Sequence, residues 1–109
     1  MAEHIDELGR YSGPATLILS SLAEAPKHGY ALMQDVEAFA GVVLRPGTLY
    51  GALTRLEKMG MVEALPSDGR RRPYRITGAG AAALEAQLAS QRRVADVGLR
   101  RLKARGVLA

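Results

Sequence analysis

The chain has 109 residues, of which 48% are hydrophobic and only 5% aromatic, and its formal net charge is +4. This length fits one small domain, and a small core with few aromatic residues is often completed by oligomerisation. The absence of cysteine excludes disulfides and thiolate metal sites and fits a cytoplasmic protein, and no apolar run is long enough to span a membrane.

The charge is distributed unevenly along the chain. Acidic residues outnumber basic ones in residues 1–44, whereas Lys and Arg outnumber Asp and Glu in residues 45–109. This asymmetry favours a polyanionic partner, although a solvated surface that only keeps the protein soluble would give the same pattern.

The first part of the chain predicts helices. Residues 3–10 fit a loose helical turn, and residues 12–14, Ser-Gly-Pro, are typical of a helix start. The apolar run over residues 15–25 then predicts a largely buried first helix. A second helix is predicted over residues 28–41, which begin with His-Gly-Tyr. Its apolar side chains follow helical spacing at Leu32, Met33, Val36 and Phe39.

Residues 45–60, RPGTLYGALTRLEKMG, predict a third helix with two unlike faces. Pro46 suits the first turn and Gly60 suits the end of the helix. One face is apolar at helical spacing: Leu49, Leu53, Leu56 and Met59. The opposite face is small, hydroxylated and cationic: Gly47, Thr48, Tyr50, Gly51, Thr54, Arg55 and Lys58. Such a face can lie close against a DNA groove, but an ordinary amphipathic helix with a solvated face also fits.

After the third helix the spacing of the apolar residues changes from that of a helix to that of a β-strand. Residues 61–65 and 73–76 predict two strands, and the Asp-Gly pair in residues 66–72 is a strong hairpin signal between them. We expect Tyr74 and Ile76 to face the core and Arg75 to face solvent. The turn ends in three adjacent arginines, Arg70, Arg71 and Arg72, whose side chains suit phosphate oxygens and a narrow groove.

The last part of the chain predicts one long helix, capped by Thr77 and running from about Ala79 towards Ala104. Gly78 and Gly80 are expected to weaken its first turn. Such a helix is about 39 Å long, which exceeds what a small domain can cover, so we expect a second copy of the chain to bury its distal half. The predicted dimerisation face is Leu84, Leu88, Ala95, Leu99 and Leu102, beside a solvated basic flank.

Together these elements predict a mainly α fold with a small β-hairpin. Residues 1–76 would form a winged helix-turn-helix domain with an N-terminal extension, 1–12, and residues 77–109 a C-terminal dimerisation helix. In this layout the third helix enters the major groove, and the hairpin contacts the neighbouring backbone or minor groove. We therefore expect a homodimer that binds double-stranded DNA at an inverted-repeat operator. The alternative is a winged-helix module that binds protein and not DNA.

The predicted DNA-binding residues form three groups. The groove surface would be Thr48, Tyr50, Thr54, Arg55 and Lys58, and the wing would contribute Arg70, Arg71 and Arg72. The flank, which would hold phosphate, would be Lys27, His28 and Tyr30. The only histidines, His4 and His28, form no metal-spaced set with carboxylates, and no nucleophile has a base nearby in sequence, so we expect neither a metal, a cofactor nor enzymatic activity.

Three stretches of the sequence resemble the PadR family of bacterial transcriptional regulators: LILSSLAEAPKHGYALMQDVE, RPGTLYGALTRLEKMGMVE and GRRRPYRITGAG. The resemblance implies a winged-helix DNA-binding domain, a C-terminal dimerisation helix and repression that a small molecule relieves. It places Tyr30, Thr48 and Tyr50 near DNA. The chain departs from the family at Gly51, where Pro is frequent, and at the glycine pair that begins the last helix. With no tryptophan, any pocket for a small hydrophobic effector would use aliphatic side chains, Phe39 or tyrosines.

Overall fold

A computed structural model describes residues 13–67 and 69–106. In chain order its elements are α1 (Gly13–Leu22), β1 (Lys27–His28), α2 (Gly29–Ala40), α3 (Pro46–Lys58), β2 (Val62–Ala64), β3 (Pro73–Ile76) and α4 (Gly78–Ala104). The predicted mainly α fold, with a small β component and a long last helix, is therefore confirmed. The predictions for residues 3–10 and for Asp68 lie outside the described residues.

The hydrophobic core is built from aliphatic residues on α1, α2 and α3. Ile18, Leu32 and Leu49 have no exposed surface, and each such side chain contributes about 1.5–3 kcal/mol when it is buried. Two apolar residues that follow the helical spacing are nevertheless exposed, Phe39 by 52% and Met59 by 61%. Phe39 lies in the last turn of α2 and Met59 is the C-cap of α3, so both stand at helix ends.

A three-stranded antiparallel sheet, with strand order β1-β3-β2, closes one side of the core. The predicted hairpin is present, with Val62 paired to Ile76, and Tyr74 and Ile76 pack against the core as expected while Arg75 is exposed. Strand β1 was not predicted, because its two residues are too few to show alternation and it forms only by pairing with β3. Its pairing holds the start of α2 against the hairpin.

Helix α4 begins in close contact with the hairpin. As predicted, Thr77 caps it: the side-chain hydroxyl accepts a hydrogen bond from the Gly80 N–H at 3.0 Å and donates one to the Gly60 carbonyl at 2.6 Å. Gly80 is buried, and a Cβ atom there would collide with the backbone carbonyl oxygen of Met61. Gly80 therefore allows the first turn of α4 to lie close to the backbone of Met61. This close contact explains why a glycine is present in a helical turn that it weakens.

Only the first turns of α4 are covered by the winged part of the chain. Leu84 is buried against the core, but four large apolar side chains of α4 beyond it are exposed: Leu88, Val94, Leu99 and Leu102. Leu99, for example, is 55% exposed. The helix thus extends as an arm, and the long axis of the molecule is 56 Å. None of the helices in residues 13–67 and 69–106 has both the length and the apolar character needed to cross a membrane.

Candidate nucleic-acid interface

Helix α3 has the two unlike faces that its sequence predicts. Leu49, Leu53 and Leu56 are buried by at least 97% and form its packed back. The predicted groove residues are all exposed: Thr48, Tyr50, Thr54, Arg55 and Lys58. Arg55 also borders a groove beside α1 and α4, and Thr48 borders one beside α1, whereas Tyr50 lies towards the wing. Tyr50 is 47% exposed. A helix that is anchored by its leucines in this way presents a rigid polar face to a partner.

Contacts along α3 order part of this front. The hydroxyl of Thr54 donates a hydrogen bond to the Tyr50 carbonyl at 2.8 Å, within the helix. The guanidinium of Arg55 lies over Gly51, where its Nη1 would be 3.6 Å from an added Cβ. Gly51, one of the departures from the PadR pattern, therefore leaves room for the arginine side chain along the helix surface.

The arginines of the wing lie in the segment between β2 and β3, next to the start of α2. Together with parts of α2, α3 and β3 they enclose a cleft of about 310 Å³. The residues that line it are His28, Gly29, Tyr30, Tyr50, Arg70, Arg71, Arg72 and Tyr74. The structure thus brings together predicted DNA-binding residues from three separate stretches of the chain: residues 28–30, Tyr50 and residues 70–72. None of the described residues lining this cleft is acidic.

The floor of the cleft is set by a glycine. Gly29 is buried at the first position of α2, and a Cβ atom there would collide with the hydroxyl of Tyr50 and approach Leu49 Cδ2 to 3.3 Å. Gly29 therefore lets the phenol of Tyr50 lie against the N-terminus of α2. Gly29 was not among the residues predicted for the site, although its place between His28 and Tyr30 was a signal for it.

Tyr74 also lines the cleft, although the sequence placed it only in the core. Burial raises the pKa of the Tyr74 phenol, Glu57 and Tyr50 raise it further, and Arg72 opposes them. The phenol is therefore neutral and able to donate a hydrogen bond at physiological pH. Tyr74 therefore packs against the core on one side and lines the cleft beside the wing arginines on the other.

His28 connects α2 to the wing. Its Nδ1 accepts a hydrogen bond from the Ala31 N–H at 3.4 Å and so caps α2, as expected of a hydrogen-bonding residue at a helix start. Its Nε2 lies 3.2 Å from the guanidinium Nη1 of Arg71. The imidazole therefore lies between the N-terminus of a helix and one arginine of the wing.

Lys27, which was predicted to hold phosphate, is mostly buried and makes its polar contacts within the protein. Only 12% of its side chain is exposed, and its ammonium donates a hydrogen bond to the Ser21 carbonyl at 2.6 Å. The ammonium also pairs with Glu24 at 3.4 Å and Asp35 at 3.9 Å, and the buried Ser21 hydroxyl donates to Asp35 at 2.6 Å. The positive charge of Lys27 is thus used to join α1 to α2 and is not free to meet a phosphate.

The predicted dimerisation residues divide into two groups. Leu84 is 93% buried in the core of its own chain, so it leaves little surface for a dimer contact. The remaining four are exposed on α4: Leu88, Ala95, Leu99 and Leu102. At 100° per residue these four fall within one quadrant of the helix, which leaves an uncovered apolar stripe along the arm.

Comparison with known proteins places this fold and surface in a family. Residues 18–86 match the model of the transcriptional regulator PadR-like family. The transcriptional regulator Rv3488 of Mycobacterium tuberculosis is 46% identical over 70 residues, which are 62% of this chain and 64% of that protein. An uncharacterised 37.1 kDa protein in transposon TN4556 of Streptomyces fradiae is 45% identical over 78 residues, 72% of this chain and 23% of that protein. The matched part therefore spans less than two thirds of either curated relative.

Similarity to solved structures extends over nearly the whole chain. The crystal structure of a PadR family transcriptional regulator from Eggerthella lenta superposes with a TM-score of 0.74 at 32% identity. The superposition covers 93% of this chain and 89% of the other. The arm and the winged part are thus both found in that relative.

Proposed function

This chain belongs to the PadR-like family of transcriptional regulators, and we propose that it regulates transcription by binding specific sites in double-stranded DNA. Its family consists of regulators and not of enzymes. The observation that supports DNA binding best is the cleft that the wing arginines share with Tyr50 of α3 and the start of α2. One face of the molecule therefore carries both a helix suited to a groove and a basic wing suited to the adjoining backbone.

We propose that α3 enters the major groove. Its 13 residues span about 20 Å, and the major groove is about 12 Å wide and admits one helix. Five exposed residues of α3 would meet base edges and phosphates: Thr48, Tyr50, Thr54, Arg55 and Lys58. The buried leucines on the opposite side would fix how deeply this front enters the groove.

The wing would then contact the DNA backbone. Arg70, Arg71 and Arg72 are exposed and close to Tyr30, which is 58% exposed at the start of α2. Guanidinium groups bind phosphate oxygens through paired N–H donors, so this group favours a polyanion over a protein partner. His28 belongs to the same flank, whereas Lys27 does not.

We propose that the regulator acts as a homodimer joined through its arms. The exposed apolar stripe of α4, which includes Leu88, Leu99 and Leu102, would be buried against the same stripe of a second copy in a two-fold arrangement. Two recognition helices related by a two-fold axis require an inverted-repeat operator, with half-site centres about one or two helical turns apart. The dimer would act in the cytoplasm.

We propose further that the regulator is a repressor and that a small hydrophobic effector releases it. An open apolar groove of about 520 Å³ lies where α4 leaves the winged part, between Ile76 and Leu88. A ligand there would touch the base of the arm, so it could change the angle between the arm and the DNA-binding face. This groove suits an effector better than the basic cleft does, because it offers aliphatic side chains and the cleft offers cations.

Fluorescence anisotropy with labelled genomic DNA fragments at 50 and 200 mM salt tests DNA binding against the alternative, a winged-helix module that binds protein. A dimer with six to ten phosphate contacts is expected to lose about 10³–10⁵-fold in affinity over this range. A protein-binding module would show no such dependence. The matched control is the triple variant R70Q/R71Q/R72Q, which keeps polar side chains, although shorter ones, and removes three charges.

A further inference from the structure

Gly29, the first residue of α2, stands where the backbone conformation does not call for a glycine. It is outside the left-handed region, and alanine is a better helix former than glycine. The space around it does call for one, because an added Cβ would collide with the hydroxyl of Tyr50. That Cβ would also lie 2.9 Å from Tyr50 Cζ and 3.3 Å from Leu49 Cδ2. The lack of a side chain at Gly29 therefore serves the phenol of Tyr50, which reaches it from α3.

The phenol of Tyr50 does not lie at the centre of the exposed face of α3. The buried side of this helix consists of four residues: Leu49, Ala52, Leu53 and Leu56. At about 100° per residue, Thr54 and Lys58 lie nearly opposite this side, whereas Tyr50 is turned about 70° from the opposite direction. It is turned towards the cleft that it shares with the wing arginines. Tyr50 is thus set apart from the residues at the centre of the face that would enter the groove.

We propose that Gly29 is a positioning residue for Tyr50, and that the phenol held in this way contacts a backbone phosphate beside the wing and not a base edge. This assignment rests on the proposed function and names the part of DNA that Tyr50 binds. The charged side chains that line the cleft are Arg70, Arg71 and Arg72, and no described lining residue is acidic. A phenol hydroxyl and guanidinium groups all donate hydrogen bonds, so the group that suits them together is an anionic oxygen.

A phosphate contact made by a neutral phenol has two measurable properties. It strengthens binding to all sequences alike, because phosphates carry no sequence information. Its loss also leaves the slope of log affinity against log salt concentration unchanged, because that slope counts the phosphates neutralised by cationic side chains. Tyr50 should therefore differ from the wing arginines, whose loss lowers the slope, and from a base-reading residue, whose loss changes the preferred sequence.

The positioning role can be measured in the free protein. G29A is expected to unfold in urea at nearly the same concentration as the wild type, because its methyl group meets the outer end of a half-exposed side chain that can turn into solvent. NMR should show nuclear Overhauser contacts between the Tyr50 ring, identified with Y50F, and the Gly29 Hα protons. These contacts should be lost in G29A.

The matched control is G78A, at the first position of α4, where an added Cβ has no atom within 4 Å. It should keep the contacts between the Tyr50 ring and Gly29. The same ring contacts with residue 29 in G29A as in the wild type would overturn the positioning role. A loss of stability in G29A that Y50A does not relieve would also overturn it.

The DNA contact is tested by anisotropy with a duplex selected from random DNA and a scrambled duplex of the same composition. Y50F and G29A should each weaken binding to both duplexes by about three- to tenfold, as expected for one neutral hydrogen bond, with an unchanged salt slope. The double variant G29A/Y50F should bind no more weakly than Y50F, because the hydroxyl that Gly29 positions is already absent. G78A should bind like the wild type.

Three results of this assay would count against the account in different ways. A loss in Y50F confined to the selected duplex would mean that Tyr50 contacts bases, and would overturn the phosphate assignment. An equal cost of G29A in the wild-type and Y50F backgrounds would overturn the positioning role. Absence of binding by the wild type to both duplexes would refute the proposed function itself, while the NMR contacts would still decide the role of Gly29 in the free protein.

Discussion

Replacing Gly80 by alanine tests how the arm is attached to the winged part. Gly80 is buried in the first turn of α4, and its added Cβ would collide with the Met61 carbonyl oxygen. That oxygen is backbone and already accepts the Thr77 N–H at 3.0 Å, so it cannot turn aside as a flexible side chain could. Gly78, two residues earlier, is exposed and has no atom within 4 Å of an added Cβ, which makes Gly78→Ala the matched control.

The expected effects of the two substitutions have opposite signs. Any Gly→Ala change within a helix gains up to about 1 kcal/mol. At Gly80 this gain is set against an overpacking cost of about 1–3 kcal/mol, and separation of α4 from the hairpin would also expose part of Leu84. The free energy of unfolding should therefore fall by about 1–2 kcal/mol in G80A and rise by up to about 1 kcal/mol in G78A.

Urea unfolding followed by circular dichroism, at one protein concentration for all variants, measures this difference. A fixed concentration is needed because dimerisation would make stability concentration-dependent. A gap of about 2 kcal/mol between the variants supports the close contact between α4 and Met61. If G80A proved as stable as G78A, the reasoning about this attachment would be refuted.

Three further predictions concern the surfaces that the proposal uses. Tyr50→Ala should leave the unfolding free energy nearly unchanged and weaken DNA binding, whereas a loss of several kcal/mol in urea unfolding would make Tyr50 a core residue. L99K/L102K should convert the dimer to monomers in sedimentation velocity, while its circular dichroism spectrum stays native. Val94→Lys, at a 69% exposed position away from the stripe, should leave the dimer intact. A stable dimer in the double variant would mean that the interface lies elsewhere. Alanine at residues 70–72 should lower the slope of log affinity against log salt concentration by about one unit per lost phosphate contact. If the slope stayed the same and only the affinity for one sequence fell, the wing would contact bases and not phosphates.

The helices and the hairpin could be predicted because their signals are local. Leucines at helical spacing gave α3 and its packed back, and the change of period after residue 60 gave the two strands of the hairpin. The threonine before α4 predicted its cap, which the structure shows at Thr77. In each case the property depends on residues within one or two turns of each other.

The features that the sequence did not predict depend on contacts between distant segments. Strand β1 exists only through β3, and the burial of Lys27 depends on Ser21 and Asp35 on two different helices. The role of Gly29 depends on the phenol of Tyr50 reaching it from α3. Residue type and spacing do not show contacts between distant segments. Lys27, which is next to His28 in the sequence, was therefore predicted to bind phosphate, although its ammonium pairs with Glu24 and Asp35.

Hydroxyl-radical footprinting on an operator selected from random DNA tests the central claim most directly. Two arm-joined copies, each with α3 in a major groove and its wing on the adjoining backbone, predict two protected patches related by a two-fold axis. The centres of these patches should lie about one or two helical turns apart, on an inverted-repeat sequence. A single asymmetric patch with one chain bound, or no selected sequence at all, would contradict the account.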